Sequence, residues 1–343
     1  MYSTQNQYQH LTYLSLLLHA PHSLKNDALS SVFYSVDKAG AFNIVSLANP
    51  HLNPAAFKRA NFIDKTQTFE LKGQVLIDCL RVSRPILDGV DIGLNFYIHD
   101  PKSFLIANWE AATEAAPDYT VEIEEARLEV GRIRPKQPTI PRAIYPYIHR
   151  DMLHMIHEKS LSFFGPATIA SGILPKRVTV GLISETAYNG SYKENRLNFN
   201  DFNADNVVVR VNSVDKPVRG GYVMDYKNQL YMDAYYGLFK EMGQNMGECQ
   251  IGPIDFSDFD AGFTLYVFDT SPGHTASNIE YSKSGTGNCE LMIHFKQTPL
   301  TDNVVVMVMM EFERKFILHK LEPGNVRQYQ FQSNVPSLKL PYE

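Results

Sequence analysis

Apolar and polar residues alternate with a period of two through most of the patterned chain, which predicts strands with one buried and one wetted face. Phe69, Leu71, Val75 and Ile77 share one side of such a segment, with Glu70, Lys72, Gln74 and Asp78 opposite. Val90, Ile92, Leu94, Phe96 and Ile98 stand against Asp91, Asn95 and Tyr97. The same reading covers Val178, Val180 and Leu182, then Val207, Val209 and Val211, and then Cys289, Leu291, Ile293 and Phe295. Antiparallel sheets accommodate strands of this kind.

Two segments depart from plain alternation. Along 119–133 the apolar phase is odd at Val121 and Ile123 and even at Ala126, Leu128 and Val130, which predicts a β-bulge near Glu124-Glu125. The run from Val304 to Met310 is apolar at every position, so it should be buried on both faces. Alternation then resumes, with Phe312, Phe316 and Leu318 opposed by Glu311, Glu313 and Lys315. Helical spacing is confined to two clear places. Tyr8, Leu11, Leu14, Leu17 and Leu18 form a stripe that Pro21 should stop, and Leu230 to Met242 forms a broad amphipathic face. Residues 143–159 fit either period, since Met152, Met155 and Ile156 also suit a helix. The order helix, strand, strand, long strand occurs twice along the chain, which raises internal duplication.

The chain has 343 residues, 44% of them hydrophobic and 20% charged, enough for a substantial core in two domains or one large β body. A formal net charge of −5 carries no basic excess for a nucleic-acid groove. Cys79, Cys249 and Cys289 are few, odd in number and far apart, so free thiols are expected rather than a disulfide framework. The polar N-terminus lacks the layout of a signal peptide, and no run approaches a bilayer-spanning length. A soluble intracellular product is the expectation.

The candidate chemistry is sparse. His149, His154 and His157 invite a metal reading because His154 and His157 are spaced i,i+3 on a possible helix. Zinc catalysis needs a third ligand and a general base at fixed geometry, and Glu158 beside His157 gives no recognised spacing. Asp255, Asp258 and Asp260 lack the glycine and glutamate of a calcium loop and read better as a strand edge. Gly285-Thr286-Gly287 reads as a hairpin turn, without the lysine of a phosphate loop. No nucleophile elbow or Cys-based redox pair is present. These readings predict no enzyme, no cofactor and no metal. What stands out is the polar stretch Tyr188, Asn189, Gly190, Ser191, Tyr192, Lys193 and Asn195. Its Asn-Gly pair marks a sharp turn, and Asn195, Asn198, Phe199, Asn200 and Phe202 extend it with amides interleaved with aromatics. A structural connector is expected there rather than a ligand site.

Those residues carry a family resemblance. Leu174-Pro175-Lys176-Arg177-Val178-Thr179-Val180, the stretch from Ala187 to Asn195, the helix around Tyr231 to Phe239 and Gly262-Phe263-Thr264-Leu265-Tyr266-Val267-Phe268-Asp269 resemble the major capsid proteins of Polinton/Maverick virus-like transposons and adintoviruses. The strand containing Val306 to Phe312 and the upstream stretch from Phe57 to Asp91 are similar too. The resemblance implies an all-β double jelly roll with a few short helices, and a structural rather than enzymatic role. It implies a first roll over 1–158 that lacks its opening strands, a second over 159–320, and a tail over 321–343. Three subunits would form a pseudo-hexagonal capsomer that contacts neighbouring capsomers and a minor penton protein. No membrane span or specific nucleic-acid binding is implied, and the location would be the virion, or the host cytoplasm or nucleus during expression. Val304, Val306, Val308 and Met310 would pack between subunits or rolls. The alternative is a jelly-roll module, domesticated from a mobile element, that binds carbohydrate or protein.

Overall fold

The computed structural model describes residues 7–21, 24–25, 28–63, 68–87, 90, 92–107, 117–133, 142–244, 254–277, 285–296, 299–320 and 329–333. The fold is mainly β: two antiparallel sheets with a few short helices. The strands are β1 (Arg142–His157), β2 (Phe163–Ile173), β3 (Arg177–Ser184), β4 (Ala204–Val211), β5 (Val214–Lys216), β6 (Tyr222–Val223), β7 (Leu265–Asp269), β8 (Thr286–Phe295), β9 (Val304–Lys320) and β10 (Tyr329–Ser333). The helices are α1 (Tyr8–His19), α2 (Pro54–Ile63), α3 (Glu185–Asn189), α4 (Met232–Glu241) and α5 (Phe256–Phe259).

One sheet runs β1-β9-β3-β7, with β10 added to β9; the other runs β2-β8-β4-β5. β5 and β6 pair with successive stretches of β4, so they act as one edge strand broken by residues 217–221. Numbered along the chain with β5 and β6 merged and β10 set aside, the orders become 1-8-3-6 and 2-7-4-5. That is the strand order of a jelly roll, in which two Greek keys wrap into facing sheets.

The registers show which side chains meet in the middle. Val178 opposes Met310 and Phe268, Val180 opposes Val308 and Tyr266, and Leu182 opposes Val306. In the other sheet Val207 opposes Ile293, Val209 opposes Leu291 and Val211 opposes Cys289. Directly opposed residues share a face, and these side chains are 0–9% exposed, so they form the sandwich interior.

The first sheet is also covered on its outer face. Phe199 is fully buried, and a methyl added at Gly181 would come within 2.5 Å of its ring, so glycine is required there. On the far side of Phe199, Tyr13 of α1 stacks at 6.3 Å. Leu14, Leu17 and Leu18 of α1 are at most 1% exposed, each such side chain contributing about 1.5–3 kcal/mol by leaving water. α4 packs against β7 in the same way, burying Ala234 and Leu238. A strand covered on both faces needs apolar residues at every position, which accounts for the unbroken run from Val304 to Met310.

Packing divides the chain into two units: Met1–Gln74, His99–Thr120 and Arg150–Glu311 in one, and Val75–Ile98, Val121–His149 and Phe312–Glu343 in the other. The first holds the sandwich. The second has its own small core of Ala143, Tyr145, Phe316 and Leu318, against which Cys79, Val82, Ile86 and Leu87 pack. Tyr145 stacks on Phe316 at 4.7 Å and donates a hydrogen bond to the Pro85 carbonyl.

Several sequence expectations are corrected. Of residues 143–159, which fitted either period, all but the last two belong to strand β1. The described parts of 68–78, 90–98 and 119–133 form no strand; a short 3-10 turn occupies Asp78–Leu80, and a bend stands at Glu124 in place of the bulge. The alternation there is real, but among the described residues no neighbouring strand supplies hydrogen-bond partners. Among the described residues only the later copy of the suspected repeat, α4 through β7, β8 and β9, carries strands. Glu311 is buried rather than solvated. Asp255 to Asp260 form a helical turn, α5, and not a strand edge. Thr286 and Gly287 begin β8 instead of forming a hairpin turn. Cys79 and Cys289 are free thiols, and burial pushes the Cys289 thiol up to about 12. Cys249, Asp88, Gly89, Asp91, all of 278–284 and most of the 321–343 tail lie outside the described residues.

Candidate functional site

The singled-out stretch lies in the long connection between β3 and β4. Ser184 opens it by capping α3: its hydroxyl accepts from the Ala187 amide at 3.1 Å and donates to a Glu194 carboxylate oxygen at 2.5 Å. Asn189 ends the helix and Gly190 follows at φ +97°, a left-handed cap that favours glycine. A side chain there would also press to 3.3 Å on the Lys102 backbone. Lys193 and Ser191 then form a tight turn, with the Lys193 amide donating to the Ser191 hydroxyl. Tyr192 is buried, accepts at its carbonyl from the Ala107 amide, and meets Tyr119 edge-on at 5.3 Å.

Tyr188 is the clasp of this loop. Its ring lies between His10 of α1 at 5.9 Å and His154 of β1 at 5.1 Å, with the Arg196 guanidinium 5.5 Å above it. Arg196 donates to the Tyr188 carbonyl and to Gln9, and Gln7 pairs with the His154 ring at 2.6 Å. Burial pulls the His10 ring down to about 3, and the Arg196 charge acts in the same direction. His10 is therefore neutral in the folded protein. His157, three residues from His154, points to the opposite face of its strand, where it stacks on Phe295 at 4.6 Å and bonds the Leu161 carbonyl. The helix that would have set these two histidines side by side is absent.

Beside the loop an open cleft of about 470 Å³ is lined by three separate stretches of chain. The β3–β4 connection supplies Glu194, Asn195, Asn198, Asn200 and Phe202; the β8–β9 connection supplies Asp302; Asn43 comes from the N-terminal region. Phe199 turns inward, so its neighbours Asn198 and Asn200 turn outward into the cleft. The walls are tied together. Thr186 donates to Asp302 through both its amide and its hydroxyl, at 3.2 and 2.8 Å, and the Asn195 amide donates to Asn43 at 2.7 Å. Burial would raise the Asp302 carboxyl, but the Thr186 and Asn303 donors outweigh it and hold it low. Sequence reasoning noticed the amide–aromatic interleaving from Asn195 to Phe202. It had no means of finding Asp302 or Asn43, which approach only through folding.

A second polar cluster lies at the other end of β3. Glu311 is 5% exposed and receives Arg177 at 2.6 Å, Arg150 at 3.0 Å and His19 at 2.8 Å. Burial alone would raise its carboxyl; the charges of His19, Arg177 and Arg150 outweigh that and hold it well below the usual range. Arg177 also donates to the Glu241 carbonyl and to Ser277. Nearby, Glu241, Asp269 and His274 place three potential ligand atoms within 4.8 Å of one another. Their oxygens are already used: Asp269 accepts from the amides of Ser271 and Ala276, and Glu241 accepts from the Asp269 amide. This network closes the turn after β7.

Val304, Val306, Val308 and Met310 face the sandwich interior at 0–5% exposure. Their burial is complete within one copy of the chain. Among the described residues no helix is long and apolar enough to cross a membrane.

No protein-family model matches the chain. An uncharacterized Caenorhabditis elegans protein is 22% identical over 330 residues, covering 92% of this chain and 74% of the relative. Among solved structures, the chain is similar to one in the 3.5 Å cryo-EM structure of the Sputnik virophage, with 12% identity, a TM-score of 0.35 and 60% of this chain covered. The mavirus major capsid protein is similar at 11% identity, a TM-score of 0.30 and 60% coverage. The matches span 41% and 45% of those two chains, less than half of their length.

Proposed function

We propose that the chain is a structural coat subunit, a major capsid protein of the virus-like transposon type whose activity is self-association into trimeric, pseudo-hexagonal capsomers. The observation that carries this reading is the jelly-roll strand order over residues 142–320, supported by the capsid-family resemblance of the same segments. Jelly rolls build shells because facing sheets leave only short edges and present rigid walls to neighbours. The predominance of structural contacts among the polar clusters fits a role in which rigidity is the product.

On this reading the roll over 142–320 is the second, its first strand β1 lying upstream of the 158/159 boundary expected from the resemblance. The residues before 142 belong to a first roll, and 321–343 form an arm. The loop of Tyr188, Asn189, Gly190, Ser191, Tyr192, Lys193 and Asn195 is a connector that locks α1 to the roll. Val304, Val306, Val308 and Met310 stiffen the roll from inside, behind the surfaces it offers to other rolls and subunits. The partners are further copies of the chain, neighbouring capsomers and a minor penton protein, and the location is the virion.

Light scattering on the purified full chain tests this. The expected mass is three times the 38.9 kDa of one chain. A stable monomer at all accessible concentrations would overturn it.

A further inference from the structure

We propose that the cleft between the β3–β4 and β8–β9 connections is a binding site for neutral sugar units of a glycan. Its lining decides the chemistry. Glu194 and Asp302 bring negative charge, and among the described residues no lysine or arginine lines the cleft. Phosphate, sulfate and sialylated ligands are therefore disfavoured by simple charge repulsion.

What remains suits a polyhydroxylated neutral ligand. The side-chain amides of Asn198 and Asn200 line the cleft with no hydrogen-bond partner in the chain among the described residues. Each offers a donor and an acceptor side by side, matching neighbouring sugar hydroxyls, which also donate and accept. The two carboxylates are pure acceptors and are held in place beforehand, Glu194 by Ser184 and Asp302 by Thr186. Pre-set acceptors lower the ordering cost of binding. Phe202 is the one aromatic residue of the lining among the described residues, able to meet the apolar face of a pyranose ring. It sits at φ +46°, and Asn203 follows at +54°. Holding two non-glycine residues in the left-handed region costs energy, and such residues concentrate at binding sites.

The volume, about 470 Å³, lies within the range of small-ligand sites, about 300–1,000 Å³. The openness of the cleft to solvent admits one or two units of a longer chain. A divalent cation is the competing occupant. Among the described residues, however, the cleft does not gather three histidine, cysteine or carboxylate ligand atoms; the group that does is Glu241, Asp269 and His274.

Saturation-transfer NMR and calorimetry on the full chain test the site, using methyl glycosides of glucose, galactose, mannose and N-acetylglucosamine, with sialic acid and calcium chloride as separate arms. At least one neutral glycoside is expected to bind in roughly the millimolar range, with affinity lowered about tenfold by Asn200→Ala and by Phe202→Leu. The thermal midpoint of each variant reports folding, so a loss of binding at an unchanged midpoint is the supporting result. No binding by any neutral glycoside, binding of sialic acid or calcium alone, or binding indifferent to both substitutions would overturn the proposal. The readout does not depend on assembly: a protein that stays monomeric can still bind, and a trimer can fail to.

Discussion

Two regions of this protein carry the same alternating pattern and reach different ends. In β3, β8 and β9 the inward-facing apolar side chains are 0–5% exposed and every strand has hydrogen-bonded neighbours. In 92–98 the pattern is as clean, and 119–133 carries it with one change of phase, yet Phe96, Ile98, Leu128, Val130 and Ile133 are between 58% and 73% exposed and the backbone joins no sheet. Alternation expresses what a segment would bury. Whether it does so depends on a partner strand, because an extended backbone must find its donors and acceptors elsewhere in the chain or in another chain.

The comparison can be broken most sharply at Glu311. Glu311→Ala would leave Arg150 and Arg177 buried without their shared carboxylate and should cost about 3–5 kcal/mol, read as a lowered midpoint in urea unfolding. Next comes the paired test of the two regions. Leu182→Ala, in the sandwich interior, should cost about 2–5 kcal/mol, whereas Leu128→Ala in the exposed segment should stay within about 0.5 kcal/mol. Equal losses at the two sites would show that the exposed segment is in fact packed.

Acid sharpens the contrast from another side. His10 is held near 3 when folded against an ordinary value of about 6.5. Between those values the unfolded chain binds a proton that the folded one refuses. Stability is therefore full above about pH 6.5 and falls as the pH drops toward 3, by about 2 kcal/mol at pH 5. Glu311, whose carboxyl is depressed, adds a further loss that begins as the pH falls through the ordinary carboxylate range and grows below it. His10→Gln should flatten the loss between pH 7 and 5, measured by denaturant midpoints at each pH. Smallest is the cap: Ser184→Ala removes the acceptor for the Ala187 amide and should cost about 1 kcal/mol, seen as faster amide exchange in α3.

Much of the roll was legible from side-chain period alone. The stop of α1 before Pro21, the face of α4, and the strands around Val178, Val207 and Cys289 all fall where hydrophobic spacing put them. The cleft was legible only in part. The amides from Asn195 to Asn200 announce a polar loop, but Asn43 and Asp302 lie more than a hundred residues away on either side. The buried charges were misread for a related reason: Glu311 sits at a position that alternation assigns to solvent, and only Arg150, Arg177 and His19 arriving from three other elements make its burial tolerable.

By itself, then, the order of residues determined which segments could be strands or helices and which faces were apolar, since those follow from local geometry and the avoidance of water. Tertiary structure alone decided which strands found neighbours, which carboxylate went inside, and which loops met around the cleft. These depend on long-range pairing, where loop-closure entropy is set against contacts that exist only once the whole roll has closed.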